Sequence, residues 1–242
     1  MQNIDVIILA AGKGTRMYSS LPKVLHEVGS KSLLNHVITT AQKIKPKKIH
    51  LVVSEEISKK YTNTDKNINF VIQKNRKGTA DAISQCIPYL KQNNNKVLIL
   101  YGDVPFIDII TIKKLVRIKK EEIKLLCFNK EEKNFYGKVI LGTDGNVSEV
   151  IEQRELKKKD HFFLCNAGIF CLFSKDLKKY FPLISNKNKK KEFYATDIFK
   201  IATNNNIKVK PEVVSESEVM GVNNKKDLAT AEKAIQIKLR QK

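Results

Sequence analysis

The chain has 242 residues, 42% of them apolar, and carries 45 Lys and Arg against 25 Asp and Glu, a formal net charge of +20. That length allows one large α/β domain or two small ones with a sizeable core, and the most apolar stretches, 97–101 and 162–173, are broken well short of the ~20 residues a membrane helix needs. The charge alone would suggest a polyanionic partner, yet only five of the basic residues are Arg and the Lys are spread along the whole chain among abundant Asn and Ile. This is the imprint of an A- and T-rich coding sequence, so neither a nucleic-acid nor a membrane partner is expected, the Asn-Lys run at 186–191 being the main feature in favour of one.

The N-terminus runs from Met1 straight into an apolar segment containing Asp5, with no basic leader and no small-residue cleavage site, so a cytoplasmic location is expected. Residues 4–11, 48–53, 68–73, 96–101 and 123–128 are short Ile-, Val- and Leu-rich runs flanked by polar residues, and they predict buried strands. Between them, 32–44, 55–61, 79–90 and 108–120 predict helices. The alternation implies a mostly parallel sheet with helices on both faces.

After residue 130 the rhythm changes. Residues 136–141 and 146–152 flank a turn at Thr143, Asp144 and Gly145 and predict an inserted β-hairpin. There follow a long strand at 162–173, helices near 175–181 and 196–204, a strand near 208–214, and a helix over 225–240 with Leu228, Ala231, Ile235 and Leu239 on one face. No internal repeat is present. Cys86, Cys127, Cys165 and Cys171 form no CxxC pair and read as buried small hydrophobes rather than a metal site or disulfide frame. The four His form no motif.

In open parallel sheets ligands gather at the carboxyl ends of the strands. The loop after the first strand reads LAAGKGTRM, Leu9 to Met17, and LPKVL follows at Leu21 to Leu25. Gly12 and Gly14 let the backbone turn sharply and bring N–H groups near a phosphate chain, and Lys13, Arg16 and Lys23 add positive charge. The loop matches neither GxGxxG, which would need glycine where Met17 stands, nor the P-loop. At the end of the fourth strand LYGDVP, Leu100 to Pro105, places Asp103 at the same edge behind Tyr101 and Gly102. By itself such an Asp is a turn former, a helix cap or a metal ligand.

These segments, with VIQ at Val71 to Gln73, KGTADA at Lys77 to Ala82, YGKV at Tyr136 to Val139, VIEQ at Val150 to Gln153, CNAGIF at Cys165 to Phe170, EFYATDI at Glu192 to Ile198 and EVMGVNN at Glu218 to Asn224, form an ordered set. The set resembles the N-terminal half of bifunctional N-acetylglucosamine-1-phosphate uridylyltransferases. The resemblance implies a Rossmann-like nucleotidyltransferase fold over residues 1–230, with an inserted hairpin for the sugar and a C-terminal helix at 225–242. It implies transfer of a uridylyl group from UTP to N-acetylglucosamine 1-phosphate with Mg²⁺. Leu9, Ala10, Ala11, Gly12, Gly14, Tyr101 and Gly102 would lie against the nucleotide, and Gln73, Gly78 and Thr79 would hold the base and ribose. Arg16 and Lys23 would neutralise the triphosphate, while Asp103 and Asn223 would hold the metal. Gly137, Glu152, Asn166, Tyr194, Thr196 and Asn223 would form the sugar side.

The chain departs from the family pattern at Asp81, where relatives often carry His, at Lys138 in place of a common Arg, and at Ser30 and Lys31 in place of Gly-Lys. The family's acetyltransferase β-helix has no counterpart here, from which a monomer or weak oligomer is expected. Another sugar 1-phosphate such as glucose 1-phosphate, CTP or GTP as the nucleotide, or a non-catalytic nucleotide-sugar-binding protein, remain open alternatives.

Overall fold

The computed structural model describes residues 3–62, 64–91, 94–131, 134–156 and 163–240, without the side chains of residues 238 and 239. The expected strands form as β1 (Ile4–Leu9), β4 (Lys48–Val53), β5 (Ile68–Ile72), β6 (Lys96–Tyr101) and β7 (Glu122–Asn129). Between β1 and β4 lie a short pair, β2 (Glu27–Val28) and β3 (Lys31–Ser32), which the sequence did not signal, and α1 (Leu33–Gln42). Helices α2 (Glu55–Lys60), α3 (Thr79–Ser84) and α4 (Ile109–Leu115) follow their strands. Then come β8 (Lys138–Leu141), β9 (Val147–Ile151), β10 (Leu164–Phe173), α5 (Ser174–Tyr180), α6 (Asp197–Thr203), β11 (Lys208–Val214) and α7 (Lys225–Arg240). The expected start of β10 at residue 162 lies outside the described residues.

Local chemistry sets the helix ends. The Ser32 and Ser54 hydroxyls accept from the N–H groups of Asn35 and Ile57 at 3.2 Å and cap α1 and α2. Helix α4 is shorter than its apolar pattern predicts. Its last carbonyls are taken by lysines reaching from the strands, Lys96 Nζ to Val116 at 2.7 Å and Lys124 Nζ to Lys114 at 2.9 Å. Ile118 is buried all the same, from a non-helical segment.

Among the described residues one nine-stranded sheet runs in the order β11-β7-β10-β6-β1-β4-β5, with β8 paired to β10 and β9 paired to β8. Strand β1 is parallel to β4 and β6, as β4 is to β5 and β7 to β11. The simple alternation fails at one place: β10 lies between β6 and β7, antiparallel to both. Side chains of β1 alternate between two cores. Ile4, Val6 and Ile8 face the layer containing α1, α2 and α4, while Ile7 and Leu9 face that of α3, α5 and α6. Helices therefore cover both faces, and all four cysteines are buried in these layers. A third cluster, Val28, Leu33, Phe106, Val222 and Ala231, seats α7 against β2 and β3, and Glu232 Oε2 accepts from the Gly29 N–H at 2.9 Å. Leu228 and Ile235 pack at its margin; the Leu239 side chain lies outside the described residues.

Candidate active site

Because Leu9 pairs with Val52 and Tyr101, and Val53 with Ile72, the loops after β1, β5 and β6 leave the sheet at one edge. A cavity of about 670 Å³ opens there. Most residues expected at the site line it: Leu9, Ala10, Ala11, Gly12, Lys23, Gln73, Gly78, Thr79, Tyr101, Asp103, Gly137, Glu152, Asn166, Tyr194, Thr196 and Asn223.

One end is charged. Lys23 Nζ lies against Asp103 Oδ2 and donates to Asn223 Oδ1 at 3.0 Å, although these residues come from both ends of the chain. Two backbone bonds hold Asn223 in place: Val222 N–H to the Asp103 carbonyl at 2.9 Å, and Asn223 N–H to Asp227 Oδ2 at 2.9 Å. Gly14 and Arg16 do not line the cavity; they shape it from outside. Gly14 has φ +61°, and a Cβ there would stand 2.6 Å from Lys23 Cβ, so only glycine lets the lysine cross the loop. Arg16 Nη2 donates to Asn223 Oδ1 at 3.1 Å. Gly102 is likewise outside, its N–H spent on the Leu9 carbonyl at 2.9 Å.

A second part is formed by Ala10, Ala11 and Gly12 with Gln73, Gly78 and Thr79, and the cations Lys13 and Arg76 also line the cavity. Gly78 adopts φ +124°, and an added Cβ would fall on the Phe193 carbonyl oxygen. The chain can therefore lace segment 193–195 to the start of α3, through Phe193 N–H to Lys77 O at 2.8 Å, Ala80 N–H to Phe193 O at 2.9 Å and Ala195 N–H to Thr79 Oγ1 at 2.9 Å.

The third side joins the inserted hairpin to α6. The Thr196 hydroxyl donates to Glu152 Oε1 at 2.9 Å. Burial raises the Glu152 carboxyl above the usual range, opposed by the Thr196 bond and by Lys190. Burial, then the charge of Glu192, pushes the Tyr194 phenol up to about 12. Asn166 sits where β10 bulges. Its N–H donates to Gly137 O at 2.9 Å and its Oδ1 accepts from Gly168 N–H at 2.8 Å, which turns the Nδ2 amide group to other partners. Gly168 has φ +79°, and any Cβ would meet the Tyr101 ring at 2.8 Å.

Several lining residues escaped sequence reasoning: Arg76, Tyr136, Lys190, Glu192, Val219 and Gly221. Tyr136, Glu192, Val219 and Gly221 fall inside the quoted motifs and could have been found there. Lys190 belongs to the 186–191 run, which composition alone explained; one member of that run faces the cavity.

Comparison with known proteins identifies the family and the fold. The model of the MobA-like NTP transferase domain matches residues 6–194. The bifunctional protein GlmU of Buchnera aphidicola subsp. Schizaphis graminum is 44% identical over 96% of this chain and 51% of its own length. The GlmU of Pseudomonas fluorescens is 35% identical over 98% of this chain and 52% of its own. The chain thus spans about half the length of the curated relatives it matches. A solved structure described as a glucose-1-phosphate thymidylyltransferase from Bacillus anthracis, in complex with a sucrose, superposes with a TM-score of 0.77 over 96% of this chain and 94% of its own, at 18% identity, and so shares the fold. With a Gly-rich loop, a carboxylate and clustered cations at the carboxyl edge of the sheet, the chain belongs to the MobA-like NTP transferase domain family and is a nucleotidyltransferase.

Proposed function

We propose that the chain transfers a uridylyl group from UTP to N-acetylglucosamine 1-phosphate, giving UDP-N-acetylglucosamine and pyrophosphate, with Mg²⁺. The observation that supports it most is the division of one cavity into three chemically distinct parts. The part with small residues at 10–12 and the amide of Gln73 suits a planar base. The end with Lys23, Asp103 and Asn223 suits phosphates. The side with Glu152, Asn166 and Thr196 offers an acceptor and an amide donor to the hydroxyls and acetamido group of a sugar.

The nucleophile in such a transfer is a phosphate oxygen already ionised at neutral pH, so no general base is needed, consistent with the lack of histidine among the described residues lining the cavity. The work is to align two mutually repelling anions and to stabilise charge on the transferred phosphorus. Lys23 carries charge to the α-phosphate, Arg16 supports it through Asn223, and the backbone of residues 10–12 approaches the nucleotide closely because Gly12 presents open space where a side chain would stand. Glu152, oriented by Thr196, accepts from the sugar. The donor set fits Mg²⁺: Asp103 Oδ2 and Asn223 Oδ1 already converge on one cation, the Lys23 ammonium, and Mg²⁺ takes few protein ligands beside phosphate oxygens and water. When bound, Mg²⁺ neutralises charge on the triphosphate.

Pyrophosphate release from a panel of sugar 1-phosphates and nucleoside triphosphates tests this reading. UTP with N-acetylglucosamine 1-phosphate is expected to give the highest kcat/KM, lost in chelator and restored by Mg²⁺. A higher value with glucose 1-phosphate would sink the sugar assignment.

A further inference from the structure

Gln73 stands at the carboxyl end of β5, only 5% exposed, and lines the cavity. Its Nε2 donates twice, to the Gly78 carbonyl at 3.1 Å and to Asp81 Oδ2 at 2.7 Å. A carbonyl and a carboxylate only accept, so the terminus facing both must be the NH₂ group; the flipped amide would set oxygen against two oxygens. The orientation of the amide follows from the chemistry of its partners. With both hydrogens spent, Gln73 can offer a ligand nothing but its Oε1 acceptor, which has no partner among the described residues. Beside it the Gly78 N–H, also without a partner among the described residues, offers a donor.

We propose that Asp81 is a specificity-determining positioning residue: by locking the Gln73 amide it makes the site accept an N–H from the base, selecting uracil-type over cytosine-type nucleotides. The inference rests on the nucleotide reading above. Uracil presents an N3–H donor beside the O4 acceptor, matching the acceptor of Gln73 and the donor of Gly78. Cytosine presents the reverse, an N3 acceptor beside an N4 donor, and would leave polar groups facing like groups, the kind of mismatch a site rejects most strongly. Asp81 does not line the cavity and touches no ligand; it acts through Gln73. Its remaining side-chain contact, Gln85 Nε2 to Oδ1 at 3.4 Å, does not reach the cavity and provides a control.

The test compares wild type with Asp81→Leu, Asp81→Ala, Asp81→Glu and Gln85→Ala. Calorimetric binding of UTP and of CTP without sugar phosphate is measured beside kcat/KM for each. Asp81→Leu and Asp81→Ala are expected to lower the UTP-over-CTP ratio at least about tenfold through Kd and KM, with kcat for saturating UTP within about twofold. Asp81→Glu should restore part of the ratio and Gln85→Ala should leave it alone. An unchanged ratio in folded Asp81→Leu and Asp81→Ala overturns the lock and leaves the uridylyltransferase reading standing. A wild type that binds UTP selectively but turns over no sugar phosphate overturns that reading, while the binding ratios still decide the role of Asp81. Equal binding of UTP and CTP by wild type overturns the lock directly.

Discussion

Lys23 and Asp103 face each other with side chains only 14% and 16% exposed, so each would be costly to leave without the other. If Asp103 also carries the metal, Asp103→Asn is expected to cut kcat by about 10²-fold or more at saturating Mg²⁺, the scale of losing transition-state charge stabilisation. Turnover near wild type would show that this charge is balanced elsewhere. Asp197, at the start of α6, gives a second residue-level expectation. Burial, then the charge of Glu152, raises its carboxyl from 3.8 to about 6. The native state therefore holds this proton more tightly than the unfolded chain, and stability falls as pH rises from 3.8 through about 6. Asp197→Asn should raise the unfolding temperature at pH 7 to 8 and flatten that descent; an unchanged pH profile of thermal unfolding would contradict it.

Among elements, the turn into α3 tolerates least. Gly78→Ala must pay for a positive φ and also displace the Phe193 backbone, whereas Gly145, at φ +74° in the hairpin turn, has nothing within 4 Å of an added Cβ. Gly145→Ala is expected to cost about 1 kcal/mol, and Gly78→Ala distinctly more, with nucleotide binding lost as the 193–195 segment is pushed away. Equal losses in the two, by urea unfolding, would refute the distinction. The same contrast explains what was legible. The runs in β1, β4, β5 and β6 are mostly apolar, interrupted by single polar residues such as Asp5, His50 and Asn69, because both sheet faces are covered, so they could be read without a partner in view. The position of β10 could not, since an apolar strand reads alike whichever neighbours it finds, and its antiparallel insertion is a property of the connections. Ile118 extended the apparent period of α4 because burial, not helix, is what apolar spacing reports. Asp103 and the loop at 10–14 were visible as strand-end residues, whereas the hold of Asp81 on Gln73 and the approach of Lys190 depend on side-chain positions that local pattern does not carry.

At the scale of the whole molecule, a net charge of +20 spread over Lys-rich surface predicts RNA binding that is weak and abolished at moderate salt. Tight, sequence-selective binding at physiological salt would overturn it. No helix among the described residues is long and apolar enough to cross a membrane. The third core cluster links overall architecture to chemistry, since Ala231 is fully buried beside Val222, next to Asn223. Ala231→Glu is expected to lift α7 and lower kcat, with the sheet's circular dichroism retained; full activity would mean that α7 does not hold Asn223. The bond between Lys23 and Asn223 joins positions 200 residues apart. During synthesis, then, a nascent chain has made its Gly-rich loop, Lys23 and Asp103 long before the asparagine emerges from the ribosome. The unfinished polypeptide lacks the clasp that closes the charged end. Under this arrangement the charged end is completed only once the segment around residue 223 has been made, and a chain halted before Asn223 would hold Lys23 and Asp103 without their third partner.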